Sequence, residues 1–215
     1  APKPLAAGVA VASTSGGAAI MAADEAELRG EDLPQPGEAT RAVLAEAIPE
    51  FGSARNPCDV TAQVISDPAS FRKVAEALLS DPAYGTLVVP FGYAYDTATP
   101  RIGVLDALAR EQGKIACIAW LTQWLEGPGA TIAEQSERVA VFRSMGSCFD
   151  ALAKWQWWWR QAAAEPQGAQ ALVPDEVVRS VGESIDAAQA AVLTESQAKA
   201  ALAAHAAGDA DATAA

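Results

Sequence analysis

The chain has a single histidine, His205, and only three cysteines, Cys58, Cys117 and Cys148. The cysteines are far apart, odd in number and free of CxxC spacing. That pattern excludes a disulfide framework and a structural zinc site, and it points to a reducing cytosol. Basic residues are also scarce, at 15 Lys and Arg against 27 Asp and Glu, a formal charge of −12. Such a balance argues against nucleic acid or an anionic membrane as the main partner and leaves room only for a local positive site at a helix end. No uninterrupted apolar run approaches the ~20 residues of a membrane span, and no charged-then-apolar leader opens the chain. A soluble, cytoplasmic protein is expected. Without an initiator Met, and with a first strand only a few residues in, the sequence reads as an excised fragment or a processed chain. What it does have is apolar content, 51% of residues, enough for a real core.

The most informative stretch is Gly8-Val-Ala-Val-Ala-Ser-Thr-Ser-Gly-Gly-Ala-Ala-Ile-Met-Ala-Ala-Asp24. An apolar run enters a Ser/Thr/Gly turn that opens directly into an alanine-rich helix. The first N–H groups of a helix lack intrahelical acceptors, and small residues beside them let an anion approach closely. The turn lacks the lysine of a P-loop and the spacing of a dinucleotide fingerprint. It therefore reads either as a phosphate-facing helix start or as a tight connection whose glycines supply backbone freedom.

Strand and helix patterns alternate beyond it. A helix over about 18–29 ends at Gly30, a natural C-terminal cap. Leu33–Pro36 reads as a very short strand, and 38–48 as a helix stopped by Pro49. Asn56-Pro-Cys-Asp-Val-Thr61 reads as an extended loop and strand end. Over 68–80, Phe71, Val74, Ala75, Leu78 and Leu79 form one helical stripe, with Asp67 as cap and Pro68 at the first position. Strands follow at 84–90, 114–121 and 139–142, and helices at 101–112 and 145–160. Glu126-Gly-Pro-Gly129 is a loop leading into a further helix. Repeated strand–helix units predict an α/β fold: a flavodoxin-like or Rossmann-like, doubly wound parallel sheet with helices on both faces. In such sheets ligands lie beyond the carboxyl ends of the strands, where the Ser13–Gly17 turn belongs. Residues 1–160 form this domain, 161–192 a polar, alanine-rich linker, and 193–215 a helical extension opened by the capping-box pattern Thr194-Glu-Ser-Gln197.

Four segments in order carry a resemblance: Val11 to Asp24, Asn56 to Thr61, Lys114 to Trp120, and Thr194-Glu-Ser-Gln-Ala-Lys199. Together they resemble the NDP-forming acyl-CoA synthetases, the ADP-forming acetate–CoA ligases related to succinyl-CoA synthetase. The resemblance makes 1–160 the second flavodoxin-like ligase domain and 193–215 the start of an ATP-grasp segment. It implies conversion of acid, CoA and ATP to acyl-CoA, ADP and phosphate through a phosphohistidine. It also implies ATP or ADP with Mg and CoA in the full enzyme, none of them held tightly by this chain. The implied partners are the CoA-binding, phosphohistidine and ATP-grasp domains of the same enzyme, in a homo-oligomer.

By the same resemblance, Ser13, Thr14, Ser15, Gly16 and Gly17 contact the phosphoryl group of a histidine in a neighbouring domain. The family's histidine has no counterpart here, and His205 reads as an exposed helix residue. No residue of this chain is assigned as catalytic, and none as a metal ligand; the chain alone is expected to be inactive. Asn56 and Asp59 flank Pro57 at a strand end, where they either line the site or build a turn. Cys58, with no basic neighbour in sequence, reads as a buried thiol rather than a nucleophile. In the Trp155–Arg160 cluster, Trp155 and Trp159 share a face with Cys148 and Leu152, whereas Trp157 and Trp158 point elsewhere, toward a neighbouring domain or subunit. The alternatives are a non-catalytic synthetase-like module serving regulation or assembly and a free-standing small-ligand or flavin-binding flavodoxin-like protein.

Overall fold

A computed structural model describes residues 2–92, 96, 99–163, 176, 179, 182–183, 194–196 and 199. The chain divides into two units, Ala1–Ala163 and Ala164–Ala215. In the second, the described residues Glu176, Arg179, Gly182, Glu183, Glu195, Ser196 and Lys199 are helical. His205 and Gln197 lie outside the described residues.

The first unit holds strands β1 (Gly8–Ser13), β2 (Cys58–Asp59), β3 (Tyr84–Phe91), β4 (Ile115–Trp120) and β5 (Val139–Phe142). Its helices are α1 (Gly16–Arg29), α2 (Glu38–Ala47), α3 (Pro68–Ser80), α4 (Thr99–Glu111), α5 (Ala130–Gln135) and α6 (Met145–Ala163). The strands are all parallel, in the order β2-β1-β3-β4-β5. That is the flavodoxin-like winding expected from the sequence, with its reversal of direction between β1 and β3.

Because side chains alternate along a strand, the sheet builds two cores. On one face Ala10, Ala12, Leu87, Val89, Ile118 and Trp120 meet the α3 stripe and Leu105 of α4. On the other, Val9, Val11, Val88, Cys117 and Ala119 meet Ala22 and Ala26 of α1 and Phe149 and Leu152 of α6. Alanines on α1 let it lie close against the sheet. Gly30 closes that helix in the left-handed conformation (φ 66°), where a side chain would be strained. Trp155 donates its indole N–H to Pro2 O at 3.0 Å. Trp157 and Trp158 are more than half exposed, as their place on the helix requires.

Leu33–Pro36 does not form the expected strand. Pro34 and Pro36 have no N–H to give a ladder, so the segment offers carbonyls instead. Pro34 O accepts from Asn56 Nδ2 at 3.0 Å and from the Tyr84 hydroxyl at 2.9 Å. Asn56, preceding a cis peptide bond to Pro57, completes the edge where β2 is too short to do so. Its Oδ1 accepts from Val11 N at 2.9 Å, and its Nδ2 also donates to Val9 O at 2.8 Å. A side-chain amide thus stands in for a strand's backbone.

Just before β3, Asp81 receives Gly37 N on Oδ2 and Ala83 N on Oδ1, each at 2.9 Å. Burial pushes its carboxyl up, but these bonds and that from Thr40 prevail and hold it below the ordinary 3.8. A lowered folded value makes the carboxylate's contribution complete above the unfolded value and lost as pH falls through the folded one. Asp81→Asn is therefore expected to cost about 1–2 kcal/mol at pH 7. Urea titrations of both proteins should show the difference shrinking once the pH drops below the ordinary carboxylate range.

Candidate functional site

The Ser13–Gly17 turn is built by its own serines. Ser13, buried at the end of β1, donates its hydroxyl to Ser15 O at 2.7 Å and accepts Ser15 N at 3.1 Å. Ser15 is the N-cap residue of α1, in extended conformation (φ −144°, ψ 123°), and its side chain makes no capping hydrogen bond. The first bond back into the turn is Ala19 N to Ser15 O at 3.0 Å. The N–H groups of Gly16, Gly17 and Ala18 thus precede the intrahelical ladder.

α2 and α5 likewise start without a side-chain cap, whereas α3 and α6 are closed by side chains. Asp67 caps α3 by accepting from Ala69 N and Ser70 N. At the start of α6, Ser144 Oγ accepts Ser147 N at 3.0 Å. A helix start carries roughly half a unit of positive charge, and at α1 neither a capping hydrogen bond from Ser15 nor an acidic residue in the first turn answers it.

Above this helix start lies a cleft of 540 Å³, lined by Ser13, Thr14, Ser15, Gly17, Ala18 and Met21 from the turn and α1. Ala62, Pro90, Gly92 and Leu121 complete it. Pro90 is the penultimate residue of β3, and Ala62, Gly92 and Leu121 follow the carboxyl ends of β2, β3 and β4, so the cleft sits at the crossover between β1 and β3. The sequence reading singled out only the turn. Pro90, Gly92 and Leu121 were recoverable from the same rule once the strand ends were placed, whereas Ala62 was not, because the turn that carries it has no sequence signature.

Asn56 and Asp59 part company. Asn56 is buried within the sheet edge, its side-chain amide fully committed to Val9, Val11 and Pro34. Asp59 pairs in register with Ser13 and comes to the helix start: a Cβ on Gly16 would lie 3.0 Å from Asp59 Oδ2. Its other oxygen accepts Thr61 N at 3.0 Å. Cys58, between them, is fully buried, and burial pushes its thiol up to about 12. A thiol so placed stays protonated at neutral pH. Cys148 is raised as well, through its hydrogen bond with Cys117 and its burial.

Among the described residues the lining carries small hydroxyl, glycine and apolar side chains, with no lysine or arginine. The donors this lining offers are backbone N–H groups at a helix start, a kind of group that can hold an anion. Among the described residues no group of three or more His, Cys, Asp or Glu could hold a metal ion. No helix among them is long and apolar enough to cross a membrane.

No family model matches the chain. The curated trans-feruloyl-CoA synthase FCS1, from an unknown prokaryotic organism, is 37% identical over 82 residues, which are 38% of this chain and 12% of that protein. PH0766 from Pyrococcus horikoshii OT3 shares the fold with a TM-score of 0.64 and 19% identity, over 76% of this chain and 38% of its own. The dinucleotide-forming acetyl-coenzyme A synthetase 1 of Ca. Korarchaeum cryptofilum does so in its apo form (TM-score 0.59, 19% identity) and in complex with phosphate and ADP (0.57, 20%). Each covers 76% of this chain and 37% of its own. The chain thus spans about an eighth of the curated relative and under two fifths of these solved chains. The resemblance to acyl-CoA synthetases drawn from the motifs agrees with these relatives.

Proposed function

We propose that this chain is the second flavodoxin-like ligase domain of an NDP-forming acyl-CoA synthetase, in which the α1 start binds the phosphoryl group of a histidine carried by a neighbouring domain. The observation that carries this reading is the uncapped first turn of α1 opening onto the cleft at the β1–β3 crossover. Support comes from the phosphate and ADP held by the Korarchaeum synthetase of the same fold. Phosphoryl transfer asks a protein mainly for positioning and for stabilisation of spread negative charge, and fixed N–H dipoles supply both without a lysine. Ser13 shapes the turn through Ser15; Gly16, Gly17 and Ala18 offer the donors.

The lining suits one phosphoryl group. Among the described residues the lining offers no cationic or aromatic side chain to hold CoA or ATP, and no donor cluster for Mg²⁺. Those ligands fall to the CoA-binding and ATP-grasp domains of the same enzyme, in a cytoplasmic homo-oligomer.

Gly17→Asp tests the assignment. A Cβ at Gly17 meets nothing nearer than Ser15 Oγ at 3.8 Å, so the substitution has room. An acidic residue in the first turn of a helix is also mildly stabilising. Folding is expected to be unharmed while the new carboxylate occupies the donors. In the assembled synthetase, ATP-dependent labelling of the histidine and acyl-CoA formation should fall about 100-fold or more. Unchanged labelling in a folded Gly17→Asp enzyme would refute the role given to α1.

A further inference from the structure

The carboxylate of Asp59 is an unexpected neighbour for an anion site. It is held in place from two sides. Register pairing with Ser13 fixes its backbone at the end of β2, and Thr61 N fixes Oδ1 at 3.0 Å. Thr61 keeps that N–H in position with φ 65° and ψ 161°, a conformation that β-branched residues rarely adopt. Thr61 is itself nine-tenths buried, its hydroxyl makes no hydrogen bond, and the next residue, Ala62, lines the cleft. The remaining oxygen, Oδ2, lies beside Gly16 at the first turn of α1. An acceptor therefore stands beside the first turn of α1, next to the cleft though not among the residues that line it.

We propose that Asp59 is the specificity-determining residue of this cleft, selecting phosphoryl groups that bring a proton of their own and disfavouring anions that have none. This rests on the reading of α1 as a phosphoryl site. The α1 N–H groups donate to any tetrahedral oxyanion, but Asp59 can only accept. A phosphate bearing a P–O–H, or a phosphoryl group on an imidazole whose ring keeps an N–H, satisfies both. A fully deprotonated dianion meets the carboxylate as like charge against like. Gly16 belongs to the same device, because any side chain there would press on Oδ2 and move it.

Phosphate and sulfate separate the two requirements, since near neutral pH phosphate retains an acidic proton and sulfate does not. Each is titrated into the 215-residue chain while the Gly17 amide resonance is followed. Phosphate is expected to bind at least about tenfold more tightly than sulfate, the worth of one charge-assisted hydrogen bond. In Asp59→Asn, whose amide can donate as well as accept, sulfate should tighten and the preference should collapse toward unity; Gly16→Ala should lower it partway. Equal affinities in the wild type, or a preference that survives Asp59→Asn, would overturn the assignment to Asp59 while leaving α1 an anion site. If neither anion moves the Gly17 resonance, the reading of α1 fails and this one fails with it.

Discussion

Asn56→Ala is expected to destabilise the Ala1–Ala163 unit by about 3 kcal/mol, one of the two largest effects foreseen for a single side chain. The cause is the loss of a surrogate strand. β2 is only Cys58–Asp59, so next to Val9 and Val11 the ladder partner of β1 is the Asn56 amide. Alanine leaves Val11 N and the carbonyls of Val9 and Pro34 without that partner, and both valines are fully buried. Unpaired backbone groups of that kind are costly in a dry interior. For a unit of this size the melting temperature should fall by about 6–12 °C in calorimetry. A fall of only a degree or two would mean that water or a shifted Gln35 replaces the amide.

Gly85→Ala should be at least as damaging, for a steric reason. Between β1 and β3 the register shifts: Gly8 pairs with Tyr84, and Val9 with Thr86, so Gly85 is the extra residue of a bulge. A Cβ there would lie 2.0 Å from Ala6 O and 2.9 Å from Ala6 C. Both are backbone atoms and cannot rotate away as a flexible side chain would. The two central strands would have to separate, at a cost of about 3 kcal/mol or more. Gly92→Ala is the control, because a Cβ at Gly92 meets no atom of the described residues within 4 Å. Denaturant midpoints should drop sharply for Gly85→Ala and barely move for Gly92→Ala; equal behaviour would show that the bulge is not tightly packed.

These two residues also show what the sequence reveals and what it hides. Periodicity made the long elements legible: the α3 stripe, the charge-free β4 and the Ser/Thr/Gly turn each announce their structure locally. A doubly wound parallel sheet followed from the alternation of strands and helices, and with it the strand end where the cleft lies; the flavodoxin-like choice came from the resemblance. The role of Asn56 was not legible, because a side chain that replaces a strand does so through partners 45 and 47 residues away. Leu33–Pro36 misled for the converse reason: its spacing suits a strand, but two prolines deny it a ladder. Asp59 could be placed at a strand end, yet its approach to Gly16 depends on the β1–β2 register, which two residues of strand do not advertise. Trp157 and Trp158 were separated correctly from Trp155 and Trp159, since helical geometry alone decides which face is buried.

A crystal structure of the chain grown with inorganic phosphate near neutral pH tests the central claim most directly. The account predicts a phosphate in the cleft, within hydrogen-bond reach of Gly16 N and Gly17 N, with a protonated oxygen turned toward Asp59. A phosphate bound elsewhere, for instance at Arg110 or Arg143, with the start of α1 left bare, would contradict it.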